Sequence, residues 1–303
     1  MARHTLGMDN GLYPYSSLPS RPRLRWPDGA RLAVGINLFF ESMAFDPPPD
    51  LARDVRWKER FVQDPRLYTW YDYGNRVAIF RIMEILDRHR LKATVAANAD
   101  ACERFPYLVD AFLKRNWEIA AHGIAANGVI TGRLPEAREQ SVLSECIERI
   151  ESATGRRPSG WFGQDYGESV RTPRLLADLN MSYLADWPND DQPYSMPGAG
   201  GIISVPNYVE WDDMRLLWDR RFQMPRYPEI VGEAFDQLHR DGLATGRFFS
   251  INLHPWLIGA PHRIKYLETV IEKIAAATDV WQETTTKIVE HVRGGDALAA
   301  RNC

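Results

Sequence analysis

RLAVGINLFFES, residues 31–42, is apolar and nearly continuous as far as Phe40 and then gives out at a polar pair, Glu41 and Ser42. Such a run reads as a strand covered on both faces, the kind found in parallel sheets. The pattern recurs along the chain. Strands are expected at 93–98, 117–122, 160–163, 182–186, 202–206, 248–254 and 280–281, and helices at 74–90, 107–115, 135–154, 172–179, 228–240, 261–277 and the C-terminal end. Repeated strand-then-helix order implies a parallel α/β sheet, either open and doubly wound or closed as a barrel. No GxGxxG or GxxxxGK[ST] follows the first strand, which favours the barrel over a Rossmann sheet. Parallel α/β folds place chemistry at the C-terminal ends of strands, and the polar residues there are Glu41, Asn98, His122, Asp165, Asp186 and His254.

Around this frame, residues 1–30 are rich in Pro, Tyr, Arg and Ser and read as a segment wrapped over the surface, 31–295 as one domain, and 296–303 as a tail. Residues 43–72 hold the Pro47–Pro48–Pro49 run and read as an irregular functional excursion. The helix over 74–90 is expected to bury Val77, Phe80, Ile82, Ile85 and Leu86. The 135–154 helix ends at Gly155, a C-terminal stop signal.

Composition narrows the partners. The 303 residues are 45% hydrophobic and 25% charged, and a net charge of −3 offers no basic excess for a nucleic acid. No apolar run resembles a signal h-region or a membrane span, so a cytoplasmic protein with neither nucleic-acid nor membrane partner is expected. Three cysteines, Cys102, Cys146 and Cys303, without CxxC spacing, suggest two core thiols and one tail thiol.

Three residues carry the chemical reading. Glu41, beside Phe39 and Phe40, is a candidate general base whose burial would lift its pKa toward neutrality. His122 ends WEIAAH and precedes Gly123, and His254 ends FFSINLH. Either histidine alone reads as a hydrogen-bonded structural residue; two of them facing a carboxylate from a third strand end read as a catalytic set. His262 is a helix cap or a substrate contact. The Asp186–Asp190–Asp191 group and Asp212–Asp213 read as turn and helix-capping carboxylates. Trp57, Trp70, Trp161, Trp187, Trp211, Trp218 and Trp256 line an apolar pocket or a subunit interface.

The blocks RWPDGARLAV (25–34), YDYGNRV (71–77), WEIAAHG (117–123), TGRRPSGW (154–161), DWPNDDQPY (186–194), WDDMR (211–215) and INLHPWLIGAPHR (251–263) resemble, in this order, the polysaccharide deacetylase superfamily, carbohydrate esterase family 4. Within it they are similar to the branch of metal-independent uricolytic allantoinases and cyclic imide hydrolases. The resemblance implies a distorted (β/α) barrel of about seven parallel strands and hydrolysis of a non-peptide C–N bond. In metal-using members one acid of an Asp–Asp pair acts as base, and the other, with the two histidines of an H-x-x-x-H motif, holds the ion. Here the acidic pair corresponds to Glu41–Ser42, the second histidine to Ala126, and the family's arginine to Gly163. One remaining imidazole, His122, does not make a zinc site. A metal is therefore not expected; if one is held, His122 with Glu41, Asn127 or His254 would hold it.

The expected activity is hydrolysis of a small cyclic amide, imide or ureide, with Glu41, His122 and His254 catalytic. Asp165, Tyr166, Trp161, Asp213 and Trp256 are the expected substrate-binding residues. A metal-dependent N-deacetylase with substitute ligands and a non-catalytic binding protein are the alternatives. The resemblance also implies a small-molecule substrate and a homo-oligomer, with a tetramer among the options.

Overall fold

The structure of the chain, a computed structural model, describes residues 11–51 and 65–295. In chain order the elements are β1 Leu32–Phe40, α1 Pro65–Tyr73, a π-helical turn Gly74–Ala78, α2 Ile79–Arg88, β2 Thr94–Ala97, α3 Ala99–Arg104, α4 Pro106–Lys114, β3 Glu118–Ala121, α5 Glu136–Thr154 and β4 Gly160–Trp161. There follow α6 Thr172–Asp178, β5 Tyr183–Leu184, β6 Tyr194–Met196, β7 Ile202–Ser204 and a second π-helical turn, Met214–Asp219. The chain continues through α7 Arg226–Asp241, β8 Arg247–Leu253, α8 Pro255–Ile258, α9 Ile264–Ala276, β9 Val280–Gln282 and α10 Thr285–Gly294.

The strands pair in the order β6-β7-β5-β4-β3-β2-β1-β8, with β9 beside the start of β1, and every pairing but β6–β7 is parallel. The sheet curls into a half-barrel rather than a hydrogen-bonded ring. Loop segments cover the seam beside β8: Phe248 N donates to Asp191 O, and Trp211 Nε1 to Ser250 O.

All nine residues of β1 are buried, but its two faces meet different layers. Leu32, Val34, Ile36, Leu38 and Phe40 join the core between sheet and helices. Ala33 and Phe39 face the barrel interior with Ala96, Ala120, Phe162, Tyr183 and Phe248. Small residues let that interior fill. A Cβ on Gly160 would lie 1.8 Å from the Tyr183 ring, so only glycine leaves this tyrosine its place. Aromatic bulk thus plugs the lower interior and leaves the C-terminal end open.

The expected elements are found with several differences. Helix α1 begins inside the segment read as irregular; residues 52–64 of that segment lie outside the described residues, as do Trp57, His4 and Cys303. Val77 and Phe80 are 41% and 38% exposed, contrary to the expected stripe. The π-helical turn breaks the 3.6-residue count begun at Gly74, and the buried stripe is instead Ile79, Ile82, Met83, Ile85 and Leu86. Helices α3 and α8 and strand β6, of six, four and three residues, are too short to show a period. Gly155 closes α5 at φ +69°, as its position implies. Cys102 and Cys146 are buried thiols. Among the described residues no helix is long and apolar enough to cross a membrane.

Candidate active site

Register decides which side chains meet. Phe40 is level with Ala97, and Ala97 with Ala121, while Leu38 is level with Leu253. One step past these pairs the strands end in Glu41, Asn98, His122 and His254. Glu41, His122 and His254 consequently line one cleft, with Phe39, Phe162, Gln164, Asp165, Tyr166, Asp186, Asp212 and Arg215 also in its wall.

Each of the three is held differently. The backbone carbonyl of Glu41 accepts from Asn75 Nδ2 at 2.6 Å, so the π-helical turn anchors the end of β1. Its Oε1 accepts from Gln164 Nε2 at 2.9 Å and lies 3.5 Å from His122 Nε2; its Oε2 is buried without a partner. His122 Nδ1 is 2.9 Å from Phe162 O, and a carbonyl only accepts, so Nδ1 carries the proton. Nε2 is left buried, without a hydrogen-bond partner, in the cleft wall. Gly123 follows at φ +73°, a turn few other residues take.

His254 is instead clamped. Asp213 accepts from its Nδ1 at 2.5 Å and from its backbone N–H at 2.8 Å, leaving Nε2 for the cleft. Phe39 ties the two imidazoles together, stacking on His254 with centroids 4.3 Å apart and meeting His122 in a T-shaped contact at 4.9 Å.

The charges follow from these contacts. Burial pushes the Glu41 carboxyl up, as expected beside Phe39 and Phe40, but the adjacent His122 imidazole, the charge of His254 and the Gln164 amide outweigh it and hold the group at about 2. The expected lift toward neutrality is therefore corrected: Glu41 is an ionised carboxylate throughout the working range. Burial works against charge on His254 too, yet Asp213, Asp212 and Glu41 together raise it to about 9. Asp213 itself is lifted to about 6, mainly by burial. At neutral pH the pair is an imidazolium on a carboxylate.

The remaining expected residues divide. Asp165 and Tyr166 line the cleft on a turn with φ of +50° and +56°. Asp213 stands behind His254, outside the cleft wall. Trp161 does not reach the cleft: it alternates outward into the helix-side core while its neighbour Phe162 faces inward. Trp256 also packs away from the site, among Trp70, Tyr71 and Trp218. His262 is exposed and lies outside the cleft wall.

Sequence reasoning missed Gln164, which bonds both Glu41 and Asn98, although it sits within the quoted block beside Asp165. It also left Asp212 as a cap. Asp212 does cap, accepting from Met214 N at 2.7 Å, but its other oxygen receives Tyr166 Oη and Asn252 Nδ2 in the cleft wall.

The residues present do not fit the metal set that the family resemblance implies. Ser42 Oγ accepts from the Arg104 guanidinium, which puts a cation behind the position of the second acid. Ala126 is a buried methyl group. Asn127 spends its amide on the Ala44 backbone, donating to the carbonyl and accepting from the N–H. Asp212, Asp213 and His254 offer ligand atoms within 4.8 Å of one another, but the carboxylate oxygens already hold the donors named above.

The curled sheet thus brings a carboxylate and two imidazoles together at the strand ends of a (β/α) half-barrel. Comparison sets this arrangement beside known proteins. Residues 61–184 match the polysaccharide deacetylase family model. A Schizosaccharomyces pombe protein named "Putative polysaccharide deacetylase" is 25% identical, over 88% of this chain and 91% of its own length. The crystal structure of a "probable Polysaccharide deacetylase from Pseudomonas aeruginosa PAO1" superposes with a TM-score of 0.81 at 26% identity, covering 91% of this chain and 96% of that one. The structure of Puue allantoinase gives the same TM-score and identity over 95% and 98% of the two chains.

Proposed function

We propose that this deacetylase-family hydrolase opens a small cyclic amide, imide or ureide, and that it does so without a resident metal. The observation that carries the reading is the pair of differently prepared imidazoles across one carboxylate. His122 Nε2 and Glu41 Oε2 are unpartnered buried atoms in one small chamber, a place where a water needs two acceptors. His254 carries a proton held by Asp213.

In the proposed reaction, water attacks the carbonyl carbon and passes its proton to His122 Nε2, because a carboxyl as acidic as that of Glu41 retains a proton poorly. Glu41 stabilises the imidazolium so formed. His254 faces the oxyanion with its charge and then donates from Nε2 to the departing nitrogen as the C–N bond breaks. The chamber suits a small ring better than a polymer chain, and the similarity to an allantoinase points to the same C–N chemistry.

The test is to incubate purified protein with hydantoins, allantoin, cyclic imides and lactams in the presence of a chelator. Ring opening with chelator, lost in Glu41→Gln, is the expected result. Activity that disappears with chelator and returns with zinc would overturn the metal-free reading, and turnover of N-acetylated sugars alone would overturn the substrate class.

A further inference from the structure

One buried acid group takes no part in the chemistry above. Asp186 lies in the cleft wall, 7% exposed, at the end of β5. Its Oδ1 accepts from Gly163 N at 2.7 Å. Its side chain is also in hydrogen-bond contact with Glu168, whose Oε2 accepts from Trp187 Nε1 at 2.7 Å. The remaining oxygens, Asp186 Oδ2 and Glu168 Oε1, are both buried and receive no N–H or hydroxyl. Two carboxylates in contact inside a protein cannot both be ionised, and a proton between them turns a repulsion into a strong hydrogen bond.

We infer that Glu168 and Asp186 share one proton in the chamber wall, and that Asp186, as the ionised member, accepts an N–H of the substrate beside the scissile carbonyl. The substrate half of this inference rests on the proposed function; the proton half does not. The surroundings decide which member keeps the proton. Glu168 is pushed well up by burial, by Asp186 and by Glu139, with Trp187 opposing. Asp186 is raised by burial but drawn down by Glu168, the Gly163 amide and His122. Glu139 is itself engaged by Ser169, Thr172 and Arg171. A cyclic amide or ureide shows an N–H and a C=O on one edge of its ring. The N–H would meet Asp186 while the C=O faces His254, and an ester or a fully N-substituted ring would leave Asp186 unpaired.

The full-length protein with ¹³C-labelled glutamate side-chain carboxyls tests the first half without any ligand. NMR over a pH titration is expected to show one carboxyl still protonated at neutral pH, with its signal absent from Glu168→Gln and present in the parent. Glu118 is also buried and raised, so the difference between the two proteins, not the count of protonated groups, makes the assignment. A glutamate spectrum fully ionised at neutral pH, or a protonated line that survives Glu168→Gln, overturns proton sharing.

The second half is read by calorimetry on Glu41→Gln protein, in which turnover is blocked, with hydantoin and N,N′-dimethylhydantoin as probes. Hydantoin is expected to bind about tenfold or more tightly than the dimethyl compound, as befits a hydrogen bond to a charged acceptor, and Asp186→Asn on the same background should abolish the preference. Equal affinities for the two probes, or a preference that persists in Asp186→Asn, overturns the role given to Asp186. Failure of hydantoin to bind at all sinks the cyclic-amide reading as well, while the NMR result stands apart from it.

Discussion

His122 and His254 close two strands of one curled sheet in the same way, each after an apolar run, yet their surroundings prepare them oppositely. His122 gives its Nδ1 proton to a backbone carbonyl and faces a carboxylate at 3.5 Å, with Nε2 open. His254 is clamped by a carboxylate at 2.5 Å from its Nδ1 and raised to about 9. A neutral carbonyl behind the ring fixes a tautomer and leaves a base; an anion behind the ring fixes a charge and leaves an acid. Residue type says nothing of this difference, because it resides entirely in what stands behind each ring.

The largest effect should come from removing the charge between the two rings. Glu41→Gln keeps the size and the contact with Gln164 but no longer stabilises a protonated His122, and kcat/KM for a cyclic-amide probe should fall about 10³-fold or more, on the scale of combined base and electrostatic losses. Loss of less than tenfold, measured on protein of unchanged circular dichroism, would make Glu41 structural. Asp213→Asn comes next. The amide can still touch the ring but cannot hold its charge, and a loss of about 10²- to 10³-fold is expected, with the alkaline limb of the pH profile moving down toward neutrality. A rate loss without that movement would mean that Asp213 sets position alone.

The pH profile sharpens the same contrast with a smaller lever. Activity should fall about tenfold per unit above about 9, where His254 loses its proton, and decline below about 6, where Asp213 gains one. These are properties of the pair rather than of either residue. Stability follows the sign of each shift. His254 is raised, so its contribution is fully present below its ordinary pKa of 6.5 and is lost as pH rises through about 9. Glu41 is lowered, so its contribution is present above 4.5 and is lost as pH falls through about 2. Chemical denaturation at pH 7 and pH 10 should therefore show the parent losing more stability than Asp213→Asn over that interval.

Most of the frame could be read from the chain because a buried parallel strand announces itself by composition, and the point where polarity returns marks its functional end. Glu41, His122 and His254 all sit at such points. What could not be read depends on contacts between distant residues. The facing of Trp161 turns on a single step of strand alternation, and Trp256 belongs to a cluster with Trp70 and Trp218 that no local pattern marks. The acidity of Glu41 is the clearest case. Its apolar neighbours in sequence argue for a raised pKa, whereas the partners that lower it arrive from residues 122, 164 and 254.

The smallest expected effect falls on the residue that both histidines share. Phe39 stacks on the His254 ring and meets His122 in a T-shaped contact, so one substitution acts on the two unequally. A stacked ring face is electron-rich and favours the imidazolium of His254. Phe39→Leu keeps the site apolar and removes the face, and kcat should fall by about threefold to tenfold, the scale of a desolvated cation–π contact. The alkaline limb should move down by less than one unit while the acid limb stays in place, because the losses fall on His254 and not on the base. If instead both limbs move together, Phe39 acts through the water content of the chamber, and the asymmetry between the histidines is owed to their carbonyl and carboxylate partners alone.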